Sequence, residues 1–123
     1  MPHDIAQHSN DIRVLLVDDD PDSAEEMKDL LLRMDAQRKI EHNTVELLGD
    51  ALDEISQSHY DLILLDTGLA DMPTPSAIRS LRDAFSYAPI IATMKYEDPE
   101  LAAMWVGEGA DECLFVGEMD EAS

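Results

Sequence analysis

The sequence predicts a single domain of the α/β class, with a parallel β-sheet covered by helices on both faces. Short apolar runs without alternation recur along the chain, as expected for strands buried on both faces of a parallel sheet. Segments with apolar residues at helical spacing lie between these runs, and this alternation predicts right-handed crossovers between parallel strands. The length of 123 residues fits one domain with its own core.

Five segments are predicted as strands. Four of them are short runs rich in valine, isoleucine and leucine, namely Ile12–Val17, Leu62–Leu65, Pro89–Ala92 and Cys113–Val116. A weaker candidate is Ile40–Val45. With a helix between each pair of strands, the predicted order is βαβαβαβαβ.

Two amphipathic helices are predicted in the first half of the chain. The first starts at Ala24, because Ser23 and Glu26 have the spacing of a capping box. The second covers Leu47 to Ile55, where apolar residues again recur at helical spacing.

Two further helices are predicted in the second half. Thr74 is expected to be the N-cap of the third, with Pro75 as its first helical residue. The fourth starts near Pro99 and is expected to be broken by Gly107 and Gly109.

The chain is predicted to have a flexible segment at residues 1–11, a domain at 12–118 and a truncated tail at 119–123. Only seven residues follow Val116, which is too few for a fifth helix. We therefore expect the last helix to be missing or truncated, either because the chain is cut from a longer one or because a partner covers this end of the sheet.

Composition excludes several classes of function. Acidic residues number 28 and basic residues 8, which gives a net charge of −20 with neutral histidines. Nucleic acids and anionic membranes attract basic surfaces, so neither is an expected partner. No apolar run approaches the roughly 20 residues of a membrane-spanning helix. One cysteine excludes an internal disulfide and a cysteine-based zinc site, and we expect a cytoplasmic domain.

Acidic residues follow two predicted strands at their carboxyl ends, where ligands bind in open α/β sheets. Asp18, Asp19 and Asp20 follow the first strand, and Asp66 follows the third. If these strands are neighbours, the like charges converge, and a divalent cation relieves their repulsion. Oxygen ligands suit Mg²⁺, beside which one carboxylate can attack a phosphoryl group. Alternatively, the three consecutive aspartates are loop and helix-cap residues before Pro21.

Three segments resemble the response-regulator receiver family. Val14–Asp20 is similar to its first strand and acidic pocket, Asp61–Asp71 to the strand and loop that carry its phospho-acceptor, and Glu108–Asp111 to the Gly-Ala turn before its last strand. The resemblance spans residues 12 to 118. It implies a flavodoxin-like (CheY-like), doubly wound sheet of five parallel strands in the order 2-1-3-4-5.

The resemblance also implies roles for single residues. Asp66 is the implied phospho-acceptor. Asp19 is an implied direct ligand of Mg²⁺, Asp18 a ligand through water, and Asp66 and the backbone carbonyl of Gly68 further ligands. The implied phosphoryl donor is a histidine kinase or a phosphotransfer protein, and the implied output domain lies in cis or in trans. The resemblance leaves dimerisation open.

Three positions depart from the family pattern. Met94 stands where similar receivers have serine or threonine, Val116 where they have lysine, and Cys113 where they have an aromatic residue. Thr93 lies one residue too early, and a shift of one residue turns a strand side chain to the other face. Thr93 therefore supplies the missing hydroxyl only if the fourth strand is bulged or shifted.

These departures remove two groups that hold phosphoryl oxygens in similar receivers. Charge-assisted hydrogen bonds are typically about 1.5–3 kcal/mol each. We expect weaker formation of the acyl phosphate, weaker coupling to a change of shape, or both. Lys95 is interpreted as a surface lysine in a loop, although its long side chain leaves open that it reaches the phosphoryl group.

Three functions follow from these observations. The first is a receiver domain of a two-component phosphorelay that accepts a phosphoryl group on aspartate with Mg²⁺ and regulates an output. The second is a phosphorylation-independent pseudo-receiver that acts as an interaction module. The third, a phosphatase of the haloacid-dehalogenase type, needs a second aspartate where this chain has Gly68. The domain itself is therefore not predicted to be an enzyme, whereas a full-length protein that contains it could be a hybrid histidine kinase or another signalling enzyme.

Overall fold

The computed structural model describes residues 12–34, 39–68, 72–85 and 89–116. Strands and helices alternate along the described residues. The strands are β1 (Ile12–Val17), β2 (Ile40–Val45), β3 (Leu62–Asp66), β4 (Ile90–Met94) and β5 (Glu112–Phe115). The helices are α1 (Pro21–Met34), α2 (Leu48–Gln57), α3 (Thr74–Ala84) and α4 (Pro99–Glu108).

The strands form one parallel sheet in the order β2-β1-β3-β4-β5. This order confirms the predicted flavodoxin-like arrangement, with β1 and β3 as neighbours. The described residues contain four helices, as expected for this fold when its last helix is missing or truncated. The predicted segments 1–11 and 119–123 lie outside the described residues, as do Leu69, Ala70 and Asp71 of the loop after β3.

Strand boundaries are close to those predicted. The bounds of β1 and β2 are confirmed. The other three differ by one or two residues, because β3 includes Asp66, β4 runs from Ile90 to Met94, and β5 starts at Glu112. Backbone pairing decides these ends: Asp66 pairs with Thr93, and Met94 pairs with Phe115.

Helix starts were predicted less well. The capping box at Ser23 and Glu26 is wrong, because α1 already starts at Pro21. Asp20 precedes this proline, and its Oδ1 accepts a hydrogen bond of 3.0 Å from the Asp22 N–H. Proline suits the first helical position because it lacks the N–H that would otherwise remain unpaired.

The expectations for the later helices are only partly confirmed. Thr74, rather than Pro75, is the first residue of α3, and Pro73 is the N-cap. The Thr74 hydroxyl donates to the Thr67 carbonyl at 3.0 Å. Gly107 lies inside α4, which does not break there, whereas the expected break at Gly109 is confirmed: the helix ends at Glu108, and Gly109 is its C-cap with a φ of 132°. A side chain at this φ is strained, so only Gly109 has the conformational reason to end the helix.

Two hydrophobic clusters lie on opposite faces of the sheet. The larger packs α2, α3 and α4 against one face, with Tyr60 and Phe85 fully buried in it. The smaller packs Met27 and Leu31 of α1 against the other face. None of the helices among the described residues combines the length and the apolar character needed to cross a membrane. The packed layers fix the carboxyl ends of β1, β3 and β4 along one edge, where the acidic residues lie.

Candidate phosphoryl and metal site

Three carboxylates meet at the carboxyl ends of β1 and β3. These strands pair directly, with Val17 opposite Leu65, so the residues that follow each of them are adjacent. One carboxylate oxygen from each of Asp18, Asp19 and Asp66 lies within 4.8 Å of the others. The structure therefore brings together the three acidic side chains that the sequence places after two neighbouring strands.

The backbone holds Asp18 in a fixed orientation. Its side chain is buried, and its Oδ1 accepts a hydrogen bond of 2.9 Å from the Asp20 N–H. The Asp18 N–H itself donates to the Val45 carbonyl at 2.9 Å, which extends the pairing of β1 with β2. Oδ1 of Asp18 thus accepts a hydrogen bond within the turn before α1, and Oδ2 is the oxygen that could bind a cation.

The pKa of Asp66 is raised well above its ordinary value. Asp66 is only 9% exposed, and its burial, together with the negative charges of Asp18 and Asp19, raises its pKa to about 6. Burial is the largest cause, because water no longer stabilises the carboxylate. The charge of Lys95 and a hydrogen-bonding contribution from the Gly68 backbone oppose this rise.

The three carboxylates fit a magnesium ion. Opposite ligands of an octahedral Mg²⁺ lie about 4.2 Å apart, given bonds of about 2.1 Å. The spread of 4.8 Å is close to this separation, so the cluster has about the size of a magnesium site. Gly68 lies beside them, since a Cβ built on it would be 3.6 Å from Oδ2 of Asp66. The predicted use of the Gly68 carbonyl as a ligand stays a prediction.

The end of β4 presents Met94 rather than a hydroxyl to this site. Strand β4 pairs residue by residue with β3 and with β5, so the bulge that Thr93 would need is absent from this part of the structure. The Thr93 hydroxyl is buried and lies 3.5 Å from the Leu65 carbonyl. Met94 lines the cleft beside the acids instead.

The end of β5 is also apolar. The Val116 N–H donates to the Met94 carbonyl at 2.9 Å, and its side chain packs against the hydrophobic cluster that includes Val14 and Leu16. Cys113 packs in the other cluster, and burial raises the pKa of its thiol. Neither residue lines the cleft beside the carboxylates.

Lys95 lies nearer to the acids than its interpretation as a surface loop residue suggests. Its Nζ is 2.9 Å from Oδ2 of Asp20, although half of its side chain is exposed. This hydrogen bond, followed by the charges of Asp20, Asp66 and Asp18, raises the pKa of Lys95. The sequence signal for this contact is the position of Lys95 directly after β4, which lies beside β3.

A cleft with a volume of about 530 Å³ opens beside the carboxylates. Its acidic end is formed by Asp19, Asp20 and Asp66, and its apolar side includes Met94, Leu101 and Trp105. The site therefore combines one strongly acidic end, one lysine and an apolar wall.

Comparison with known proteins agrees with this arrangement. Residues 14–116 match the model of the family described as the response regulator receiver domain. No curated protein matches the chain.

Several solved structures share the fold. A two-component response regulator from Clostridium difficile is 21% identical, with a TM-score of 0.75, and the match covers 90% of this chain and 88% of that one. The chemotaxis response regulator CheY4 of Vibrio cholerae is also 21% identical, with a TM-score of 0.72 and 85% of each chain covered.

A third structure is the receiver domain of the sensor histidine kinase PA1611 from Pseudomonas aeruginosa, which has a magnesium ion coordinated in its active site cleft. It is 23% identical, with a TM-score of 0.70, and the match covers 85% of this chain and 84% of that one. At these identities the structural likeness establishes the shared fold.

Proposed function

The chain belongs to the response regulator receiver domain family, and on this basis we propose that it accepts a phosphoryl group on Asp66 in a two-component phosphorelay. The observation that carries the proposal is the convergence of Asp18, Asp19 and Asp66 at one edge of the sheet. Family members are signalling modules. The domain accordingly regulates an output, rather than turning over a substrate.

The proposed step is a transfer from a phosphohistidine of the partner. A carboxylate oxygen of Asp66 attacks the phosphorus, a P–O bond forms, and the P–N bond breaks. The electron pair of the broken bond returns to the imidazole, which takes up a proton from water. The reaction needs an ionised Asp66, and a pKa of about 6 leaves this carboxylate mostly ionised at pH 7.

The same acids supply the metal site of this proposal. Asp19 would hold Mg²⁺ directly and Asp18 through water, with Asp66 and the Gly68 carbonyl as further ligands. The ion would supply positive charge to balance the charge that develops on the phosphoryl oxygens. The buried, backbone-held side chain of Asp18 supports this assignment, because its position is fixed before the cation arrives.

The direct test is the formation of an adduct on Asp66. Acetyl phosphate, or beryllofluoride as its stable substitute, is added with Mg²⁺ and followed by mass spectrometry or NMR. We expect an adduct in the wild type and none in Asp66→Asn. Asp53→Asn, which changes an exposed carboxylate on α2, serves as the matched control and should behave as the wild type. A wild type that forms no adduct at saturating Mg²⁺ rejects the phosphorylatable version.

The proposal extends to the partners. A histidine kinase or phosphotransfer protein donates the phosphoryl group, and an output domain in cis or in trans responds, with the exchange taking place in the cytoplasm. We take residues 12–118 as the receiver domain. Dimerisation would be one way to transmit the response.

The apolar ends of β4 and β5 favour a second candidate function. Met94 lines the cleft and Val116 packs into a hydrophobic cluster, so neither provides a polar contact for a phosphoryl group. The domain would then be a pseudo-receiver that binds its partner without phosphorylation. This candidate predicts that Asp66→Asn leaves partner binding and output unchanged, whereas loss of output in this variant counts against it.

A further inference from the structure

We propose that Lys95 supplies the cation that contacts the phosphoryl group of this domain, in place of the β5 lysine that Val116 replaces. Asp20 holds the ammonium group in the unphosphorylated protein, and phosphorylation transfers it to the phosphoryl oxygens. This inference rests on the proposed phosphorylation of Asp66. In this proposal Lys95 both contacts the phosphoryl group and changes its partner when Asp66 is phosphorylated.

Strand register places Lys95 within reach of Asp66. Thr93 pairs with Asp66, and Lys95 lies two residues beyond Thr93. Two residues advance a strand by about 6.6 Å and neighbouring strands lie about 4.8 Å apart, so the two Cα atoms are roughly 8 Å from each other. The flexible four-carbon stem of lysine spans most of that separation. Both residues also line the same cleft.

The other basic residues that the structure describes are engaged elsewhere or lie away from the cleft. Arg79 and Arg82 pair with Glu108 and Asp111, at the junction of α3 with the end of α4 and the start of β5. Arg13 and Lys39 pair with Glu41 on β2, and Lys28 pairs with Glu25 on α1. Among the described residues, Lys95 is the only base that lines the cleft.

The resting contact of Lys95 is suited to exchange. The Lys95–Asp20 pair is partly exposed, with 50% and 38% of the two side chains accessible, and exposed ion pairs hold their partners weakly. A phosphoryl group brings a charge of about −1.5 to −2 and three acceptor oxygens to Asp66. The negative charges of Asp66 and Asp18 already act on Lys95, and phosphorylation increases this attraction.

The exchange couples the site to two helices. Asp20 directly precedes α1, and its Oδ1 accepts a hydrogen bond from Asp22 in the first turn of that helix. Lys95 starts the loop that leads to Asp98, whose side chain caps α4 by accepting from the Leu101 N–H at 3.1 Å. Withdrawal of Lys95 from Asp20 towards Asp66 therefore pulls on the loop that positions α4.

The test compares two dissociation constants in the intact chain, one for Mg²⁺ alone and one for beryllofluoride at saturating Mg²⁺. Removal of a charge-assisted contact should weaken beryllofluoride binding by roughly tenfold in Lys95→Gln. The same substitution removes a positive charge near the acids, so Mg²⁺ alone should bind equally well or more tightly. A purely structural role would weaken both, which would contradict the proposal.

Three further variants sharpen the comparison. Lys95→Arg should retain most of the beryllofluoride affinity, and Lys28→Gln, which breaks an exposed pair on α1, should leave both constants unchanged. Asp20→Asn releases Lys95 and should tighten beryllofluoride binding. If the wild type binds no beryllofluoride, the proposed phosphorylation fails. If the wild type binds it and Lys95→Gln binds it equally well, only the role of Lys95 is overturned.

Discussion

The two halves of the site edge differ in chemistry. The ends of β1 and β3 carry three carboxylates that crowd within 4.8 Å of one another, and burial raises the pKa of Asp66 to about 6. Met94 at the end of β4 packs in the larger hydrophobic cluster, and Val116 after β5 packs against the smaller one. In the proposed function, cation binding and contact with the phosphoryl group would therefore involve different strands.

This contrast explains why Lys95 matters. A receiver that lacks the β5 lysine must balance the charge of its phosphoryl group in another way. Lys95 follows β4 at the boundary between the acidic and the apolar half, and it already pairs with Asp20. A positive charge is therefore still present beside the apolar half, but it follows β4 rather than lying at the end of β5.

The largest effect on beryllofluoride affinity should come from introducing a hydroxyl and an ammonium group at the ends of β4 and β5. Met94→Thr with Val116→Lys adds a hydroxyl and an ammonium group at the positions used by similar receivers. Two charge-assisted contacts should tighten beryllofluoride binding by roughly a hundredfold. Isothermal titration with Mg²⁺ present measures this change. Met94→Thr with Val116→Gln provides the matched control without the charge, and equal affinity of both double variants would show that the charge has no role.

The next largest effect concerns the stability of the acidic half without metal. At neutral pH the buried, ionised Asp66 destabilises the fold, because its pKa of about 6 in the folded state lies above its ordinary value of 3.8. Asp66→Asn should therefore raise the free energy of unfolding by about 1–3 kcal/mol at pH 7 in EDTA.

The effect of Asp66→Asn on the free energy of unfolding should depend on pH. The penalty from Asp66 is small below about pH 4, where the carboxyl is largely protonated in the folded state, grows between about pH 4 and pH 6, and levels off above pH 6. Urea unfolding at pH 4 and at pH 7 measures the difference between Asp66→Asn and the wild type. Asp53→Asn should show no such pH-dependent gain, and a destabilised Asp66→Asn at pH 7 would contradict the assigned pKa.

The smallest effect concerns competition between protons and metal. Mg²⁺ binding requires an ionised Asp66, so its affinity should fall as the pH drops below about 6. Between pH 7 and pH 5 we expect roughly a tenfold loss, which calorimetry measures. Asp66→Asn should bind more weakly at every pH, with a smaller pH dependence. An affinity of the wild type that stays constant down to pH 5 would exclude Asp66 as a ligand.

The sequence predicts the acidic half well, for a physical reason. Strands buried on both faces are continuous apolar runs, so the residue that ends each run is easy to locate. Parallel strands bring these ends to one edge, which places Asp18 and Asp66 together. The resemblance, through the spacing from Pro89 and from Gly109, assigns the family's hydroxyl position to Met94, and the regular pairing of β4 keeps Met94 rather than Thr93 at that position.

Contacts between distant segments could not be read from the sequence. The Lys95–Asp20 pair joins residues 75 positions apart, and although the position of Lys95 directly after β4 puts it at the site edge, the sequence does not indicate its partner. Thr74 has the local character of an N-cap, but the Thr67 carbonyl attracts its hydroxyl. The sequence contains two possible starts for α1, one at Asp20 and Pro21 and one at Ser23 and Glu26. The helix starts at Pro21, where Asp20 accepts a hydrogen bond from the Asp22 N–H.

The central claim is that Asp18, Asp19 and Asp66 form one cation site, and a crystal structure with Mn²⁺ in place of Mg²⁺ tests it most directly. The account predicts one anomalous scattering peak within about 2.5 Å of oxygens from Asp19 and Asp66, with Asp18 reached directly or through one water. A saturated crystal without a peak between these carboxylates, or with Asp66 turned away from Asp19, would contradict the account.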